Sequence, residues 1–458
     1  MLGRRIFNLS MLGLGAALLL GLVAYKRIQI HSSDNHFVYQ ADAWLNGSLE
    51  LKRRPHHQND WASYETLELR GKSLEKHGTR VQGFFVHQSK KRHHFRTLQK
   101  NDIEIPKSDI TNRSKSYFVS FPPGPALLML PAVSIFGYGV NDVLFTVLFG
   151  GLNCLLAYLL LCRLGERFKS DRPSSDHLWL ALFFTFSTCH FWLAVQGRVW
   201  FTALIVGATF HLLYVYFATG LRRPFLAGLC LSMAFASRAT LVFSALYIVL
   251  EAISMRRERS PRELLKAITF FALPCAILGS TLLVLNFLRF DDPMEFGHTY
   301  LAGGNLQRIR DVGLFDTSFI NRNISAMLTL APKLSSTAPY ISLSKHGMSI
   351  LITSPALILL GWRGSRDRTF WRSLMVVGVI LIPILLYQNT GWEQFSFRFL
   401  LDVLPLILVA FAAQRTRLHV SVKALIVVGN LINLFGAVTF QRPEFHHLYG
   451  EFLPLLPV

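Results

Sequence analysis

The chain has 458 residues, 51% of them hydrophobic and only 16% charged, with a mean hydropathy of +0.35. A soluble protein of that length needs more charge to cover its surface, so the composition points to a membrane protein. The net charge of +20 would suit a nucleic-acid binder, but Lys and Arg stand in clusters between apolar runs. Membrane topology produces that placement, and nucleic acid is excluded as a partner.

The amino terminus opens with Met1-Leu2-Gly3-Arg4-Arg5 and continues through an apolar stretch at 6–25. No small-residue cleavage site precedes Lys26, so the stretch reads as a retained first helix rather than a signal peptide. Further apolar runs follow at 140–161, 178–195, 201–218, 225–236, 241–253, 267–288, 348–362, 373–387, 399–413 and 424–440. Together they predict an all-α polytopic membrane protein with about eleven crossings. A short apolar piece at 126–136 follows the Pro-rich Phe121-Pro122-Pro123-Gly124-Pro125. If it lies along the outer surface and the amino terminus is inside, every short basic loop falls inside. These loops are Arg163/Arg167/Lys169/Arg172, Arg222/Arg223, Arg256/Arg257/Arg259, Arg363/Arg366/Arg368 and Arg415/Arg417. If it crosses, all of them move outside, so the surface placement wins.

The division that results is a first span at 1–25, an outer loop at 26–139, spans at 140–288, a second outer loop at 289–345, spans at 346–440 and an outer tail at 441–458. The stretch 52–115 is polar, basic and rich in His, and its pieces 66–70, 80–87 and 94–98 read as short strands of an inserted subdomain. Asn46, Asn112 and Asn323 are glycosylation acceptors only if the host modifies them in a secretory lumen. Cys154, Cys162, Cys189, Cys230 and Cys275 lie in or beside apolar segments without a CxxC pair, so they read as buried thiols.

Directly after the first helix comes His31-Ser32-Ser33-Asp34-Asn35-His36-Phe37-Val38-Tyr39, followed by Gln40-Ala41-Asp42-Ala43-Trp44-Leu45. Phe37, Val38, Tyr39, Trp44 and Leu45 give a helix one apolar side suited to the membrane surface, with Asp34 at its N-cap. A cap is the plain reading of Asp34, and a solvated face that of Asp42. A partly desolvated carboxylate at the bilayer edge can also take a proton from a substrate hydroxyl. Asp42, about two helical turns on, can share the face.

A first helix, an acidic residue on a surface helix, the Pro-rich approach from Ser120 to Ala126 and many later helices resemble the GT-C membrane glycosyltransferases. That family includes protein mannosyltransferases and the aminoarabinose transferases that modify lipid A. The stretch 225–241, FLAGLCLSMAFASRATL, resembles the family's Gly-rich helix ending in a cation. Where many relatives carry a second acidic residue directly after the first, this chain has Asn35. The resemblance implies inverting transfer of a sugar from a polyprenyl-phosphate donor to a glycan, lipid or protein acceptor. The reaction would lie on the outer face of the plasma (inner) membrane and need neither cofactor nor metal. It implies Asp34 as general base, Asp42 as a second catalytic candidate, and His36 and Tyr39 as substrate-binding residues.

The leaving lipid phosphate needs guanidinium groups at the bilayer boundary, and Arg198, Arg238 and Arg398 stand at outer helix ends. Interfacial snorkelling is the commoner reason for such arginines. Arg238, however, joins two apolar runs with almost no loop and needs a partner, expected here to be the donor phosphate.

In the last outer loop, Arg398 and Asp402 are spaced for an i,i+4 ion pair, with Asp402 expected to orient Arg398. Trp392 with Phe395 and Phe397 reads as an aromatic belt, or equally, with Glu393 and Gln394, as equipment for binding a sugar. Trp392, Gln394 and Asp402 therefore join the substrate-binding candidates. Asp291-Asp292-Pro293 with Glu295 and His298 offers possible metal ligands, but turn chemistry is favoured there. The doublets His56-His57 and His93-His94 lack metal spacing.

A transporter is the main rival, although the spans are nearly free of acidic residues, unlike ion pathways. A non-catalytic GT-C-like scaffold is the third reading, for which Asn35 leaves room. Reporter fusions at Arg172, Arg259 and Arg368 are expected to read cytoplasmic, and fusions near Pro55, Asn305 and Asn389 external. An external signal at Arg259 would overturn the helix count.

Overall fold

The computed structural model describes residues 2–57, 59–69, 83–86, 92–94, 110–301, 312–360 and 368–453. The chain is mostly helical and divides into two units. One is formed by Met1–Asn35, Asn141–Leu278 and Leu314–Val458, the other by His36–Val140 and Gly279–Gly313.

The main helices are α1 (Leu2–Val23), α2 (His36–Leu45), α3 (Gly124–Phe136), α4 (Asp142–Phe168), α5 (Ser174–Phe186), α6 (His190–Ala194), α7 (Val199–Ala218), α8 (Pro224–Phe235), α9 (Ala245–Ser254), α10 (Pro261–Phe290), α11 (Arg368–Leu386), α12 (Leu404–Ala413) and α13 (Val420–Thr439). Among the described residues, five helices are long and apolar enough to cross a membrane: α4, α7 with its extension to Leu221, α10, α11 and α13. Shorter apolar helices include α3, α8 and α12 and the pieces Leu9–Val23 and Ala239–Ser254.

Several apolar runs that read as single spans are broken. The run 178–195 becomes α5 and α6, separated at Ser187-Thr188-Cys189. The run 348–362 becomes a turn of helix at Ile350–Thr353 and a 3-10 segment at Pro355–Leu360. Pro355 lacks the N–H that would continue the first piece. In the run 399–413, a 3-10 segment at Arg398–Asp402 precedes α12, with Pro405 in the first turn of that helix. Trp362, Arg363, Arg366 and Asn305 lie outside the described residues.

In the first unit, the start of α4 sets the positions that matter for chemistry. Asn141 caps the helix, accepting the Leu144 N–H at 2.9 Å, and its amide also donates to the Ile28 carbonyl at 2.6 Å. Gly197, just before α7, has φ +76 and lies so close to Val143 that a Cβ would stand 2.6 Å from the Val143 nitrogen. Only glycine meets both demands, and the start of α7 is thereby seated on the start of α4. Deeper in the unit, the polar groups of the helices satisfy one another. Thr209 donates to Asn153 Oδ1 at 2.6 Å, while the Asn153 amide donates to the Ile205 carbonyl at 3.0 Å. A buried network whose members are paired stabilises packing.

The second unit contains a four-stranded sheet, ordered β3-β2-β1-β4. Its strands are β1 (Trp61–Leu69), β2 (Gly83–Val86), β3 (Arg92–His94) and β4 (Ile110–Val119). β1 pairs antiparallel with β4 and parallel with β2. Strands were expected at 66–70, 80–87 and 94–98; Arg70, 80–82, His87 and 95–98 lie outside the described residues. β4 was not anticipated, because its polar Asn112-Arg113-Ser114-Lys115 end hides the apolar Tyr117-Phe118-Val119 end.

Side chains alternate across the β1–β4 pair as a pleat requires. Trp61, Tyr117 and Val119 pack with Tyr39 and Ala43 of α2. Ala62, Tyr64 and Phe118 pack on Phe290 and Tyr300 instead. This corrects the reading of α2 as a helix lying on the membrane surface. His36 to Ala41 and Ala43 are buried in protein, where each large apolar side chain gains roughly 1.5–3 kcal/mol. The strands that cover the helix come from the polar insertion, so the local pattern of α2 could not show them.

Candidate functional site

Asp34 lies in the turn that leads out of α1, and the start of α4 holds that turn. The Ser32 N–H donates to Asp142 Oδ1 at 2.8 Å and its hydroxyl donates to Oδ2 at 2.5 Å. Asp142 suits the first turn of α4, where a carboxylate meets the positive end of the helix dipole. Ser33 Oγ then donates to Asp34 Oδ2 at 2.9 Å, and the Val199 N–H to the Asp34 carbonyl at 3.0 Å. α2 begins only at His36, so Asp34 stands short of the expected N-cap position. Its carboxylate is buried, with a relative exposure of 3%, and faces Arg198, whose Nε is 3.4 Å from Oδ2.

Two further arginines join this region, Arg27 from the end of the first helix and Arg442 from beyond α13. Arg27 donates to the carbonyls of Val195, at 3.4 Å, Ala437, at 3.4 Å, and Phe440, at 2.5 Å. Arg442 donates to the Val23 carbonyl at 2.8 Å. These acceptors lie at the C-terminal ends of α6, α13 and α1, where backbone carbonyls lack helical partners and the helix dipole is negative. Burial first, then the charges of Arg442 and Arg198, push the Arg27 guanidinium below its usual range. Arg27 therefore feels both other guanidinium groups, and Asp34 is a carboxylate that meets Arg198.

Arg238 is placed differently. Its Nε and Nη2 form a fork onto Asp402, at 3.2 Å to Oδ1 and 2.9 Å to Oδ2, and Thr240 donates to the same Oδ2 at 2.7 Å. The partner that its tight hairpin demands is thus Asp402, which corrects the expectation of a donor phosphate there. It equally corrects the expected Arg398–Asp402 pair. Arg398 is buried, with its guanidinium over the Phe201 ring at 5.7 Å and the Phe399 ring at 5.3 Å, and Nη1 donates to the Glu393 carbonyl at 3.3 Å. The Phe399 ring also lies 5.3 Å from the Arg238 guanidinium. α7 orders these groups along its axis: Arg198 precedes it, Phe201 is one turn in, and Gly207, roughly 12 Å further than Val199, meets the Arg238 side chain.

In the loop at 388–397, Gln394 turns inward. Its amide donates to the carbonyls of His346, at 2.7 Å, and Thr390, at 2.8 Å, and its carbonyl accepts the Arg398 N–H at 2.9 Å. All its polar groups serve the loop itself. Trp392 is half-buried, with Lys345 over its ring at 5.3 Å and the His346 ring at 5.1 Å. Glu393 spans Lys345, 3.4 Å from Oε1, and the Gln441 amide, which donates to Oε2 at 3.1 Å.

The other candidates belong to the second unit. Asp42 Oδ2 accepts the Tyr138 hydroxyl at 2.6 Å. Burial, followed by that bond, pushes the phenol well above its usual range. His36 stacks on Trp61 with ring centroids 3.7 Å apart, and Tyr39 meets the same ring edge-on at 5.3 Å. Both are core residues of this unit. Asp292 accepts the Met294 N–H, and Glu295 accepts the Gly297 N–H and the Thr299 hydroxyl, which accounts for that acidic stretch as turn chemistry. Among the described residues, no group of three His, Cys, Asp or Glu side chains is placed to hold a metal.

Arg27, Arg442 and Asp142 were missed. The available signal was position: Arg27 follows the first apolar run and Arg442 the last. No family model matches the chain, and neither a curated protein nor a solved structure is similar to it.

The Arg238–Asp402 pair yields a stability prediction. Asp402→Asn leaves a largely buried guanidinium without its counter-charge, a loss of about 3–5 kcal/mol. Thermal unfolding in detergent should show a clear drop, partly recovered in the Arg238→Met/Asp402→Leu double variant. An unchanged midpoint for Asp402→Asn would show that the pair does not hold the hairpin.

Proposed function

We propose that the protein is a polytopic membrane glycosyltransferase of GT-C type that uses a polyprenyl-phosphate sugar at the outer face of the plasma membrane. This reading includes about eleven crossings, with α1 entering from the cytoplasm. The observation that carries it is the buried Asp34, directly after α1, facing Arg198 with Arg27 and Arg442 nearby. A carboxylate beside excess positive charge suits a displacement in which one oxygen loses a proton and another leaves as phosphate.

Asp34 takes the proton of the acceptor hydroxyl. That oxygen attacks the anomeric carbon, the bond from this carbon to the phosphate oxygen breaks with inversion, and the lipid phosphate departs with both electrons. Arg198, Arg27 and Arg442 stabilise the negative charge that develops on the phosphate, a role in which a planar guanidinium exceeds lysine. The donor-phosphate role thus falls to Arg198, kept from the original three, while Arg238 is already engaged by Asp402. The acceptor is a glycan, lipid or protein hydroxyl, and the chemistry requires no cofactor.

Asp34→Asn should lower turnover about 10²–10⁴-fold, the usual worth of a general base, in membranes reconstituted with a polyprenyl-phosphate sugar. Binding of bare undecaprenyl phosphate should stay near the wild-type level. Normal turnover by this variant would return Asp34 to a purely structural role. Arg198→Gln and Arg27→Gln are expected to weaken that lipid binding, and unchanged affinity in both would remove the phosphate from this site.

A further inference from the structure

Gln441 and Arg442, just beyond the Phe440 C-cap of α13, each hold a buried polar atom that meets no hydrogen-bond partner among the described residues: Gln441 Oε1, an acceptor, and Arg442 Nε, a donor. The orientation of the Gln441 amide is fixed by chemistry, because its NH₂ group donates to Glu393 Oε2 at 3.1 Å and the reverse assignment would set two oxygens together. Glu393 is itself anchored by Lys345, so the Gln441 carbonyl is aimed and held.

The backbone adds a second observation. Gln441 has φ +52, a left-handed conformation that glycine adopts without strain, and it follows the extended Phe440 C-cap of α13. Lys169, the C-cap of α4, also has a positive φ, so the conformation alone says little. At Gln441 it coincides with a side chain braced at one end and unsatisfied at the other, which gives a reason for glutamine where glycine would be less strained.

The two orphaned atoms differ in what they require. Arg442 belongs with Arg27 and Arg198, whose chemistry calls for an anion. The side-chain carbonyl of Gln441, the preceding residue, repels an anion and calls for a hydroxyl or amine hydrogen. A single ligand that supplies both an anionic oxygen and a hydroxyl is a sugar phosphate rather than a lipid phosphate alone. We propose that Gln441 is a specificity-determining residue for the sugar ring of the donor: Oε1 accepts a hydrogen bond from a ring hydroxyl, and Arg442 Nε donates to an oxygen of the sugar or its phosphate. Half-buried Trp392, next to braced Glu393, offers an aromatic face on the same loop. This inference rests on the proposed function and names the part of the donor that the protein reads.

The test uses the purified full chain in nanodiscs and measures affinity for undecaprenyl phosphate and for polyprenyl phosphates carrying glucose, mannose, galactose or 4-amino-4-deoxyarabinose. Wild type should hold at least one glycosylated form about tenfold or more tightly than the bare lipid, since a buried polar group left unpaired discriminates strongly. Gln441→Gly suits the left-handed backbone and should unfold no earlier than wild type, bind the bare lipid equally and lose the preference for sugar. A water-filled structural site predicts the reverse: preference retained in Gln441→Gly. Retained preference, or no preference in wild type, overturns the sugar subsite alone. Failure of wild type to bind bare undecaprenyl phosphate overturns the proposed function as well.

Discussion

A helix that ends in a low-dielectric environment leaves backbone carbonyls that must find donors, and in the first unit three such ends meet the same two side chains. Arg27 reaches the carbonyls that close α6 and α13, and Arg442 reaches Val23 at the end of α1. An unsatisfied carbonyl in such a place costs several kcal/mol, so these contacts bind the first helix, the last helix and the middle of the chain to one another. The exposed Lys26–Glu444 pair in the same region is worth little beside them, since solvent screens it.

The position of Asp34 follows from a second helix end. Asn141 and Asp142 at the start of α4 hold Ile28 and Ser32, so a helix N-terminus fixes the turn containing the carboxylate. Gly197 permits the start of α7 to approach the same place, and Arg198 arrives opposite Asp34 because it directly precedes that helix. Helix termini thus supply both the donors and the acceptors that organise this region. Side chains on the continuous helices mostly provide packing.

What the sequence revealed followed from how local each feature is. Apolar runs are local, so a membrane protein with many helices was legible, and Asp34 stood out by its place after the first of them. Breaks at Ser187-Thr188-Cys189, Pro355 and Pro405 were also written in the chain, but hydropathy averages across them. Pairings between distant residues were not legible. Arg398 and Asp402 satisfy the i,i+4 rule, yet the 3-10 turn there sends Asp402 to Arg238, more than 160 residues earlier by numbering. α2 has the composition of a surface helix, and the strands Trp61–Leu69 and Ile110–Val119, further along the chain, turn it into core.

The arginines can be sorted by how completely their donors are used. Arg238 is matched by a two-oxygen fork, and Asp402 in turn takes the Thr240 hydroxyl. That geometry satisfies both charges, and an added phosphate would have to displace a buried carboxylate. Arg198 meets Asp34 with Nε at 3.4 Å, and its side chain is about a third exposed, at 32%. Arg442 gives one nitrogen to a carbonyl and keeps another buried without a partner. A cation whose donors are exhausted inside the protein stabilises the fold, whereas cations with donors in reserve can meet a charge that arrives and leaves. By that criterion the hairpin arginine, the most conspicuous in the sequence, is structural. The less conspicuous group around Asp34 is the one to which the proposed phosphate role falls.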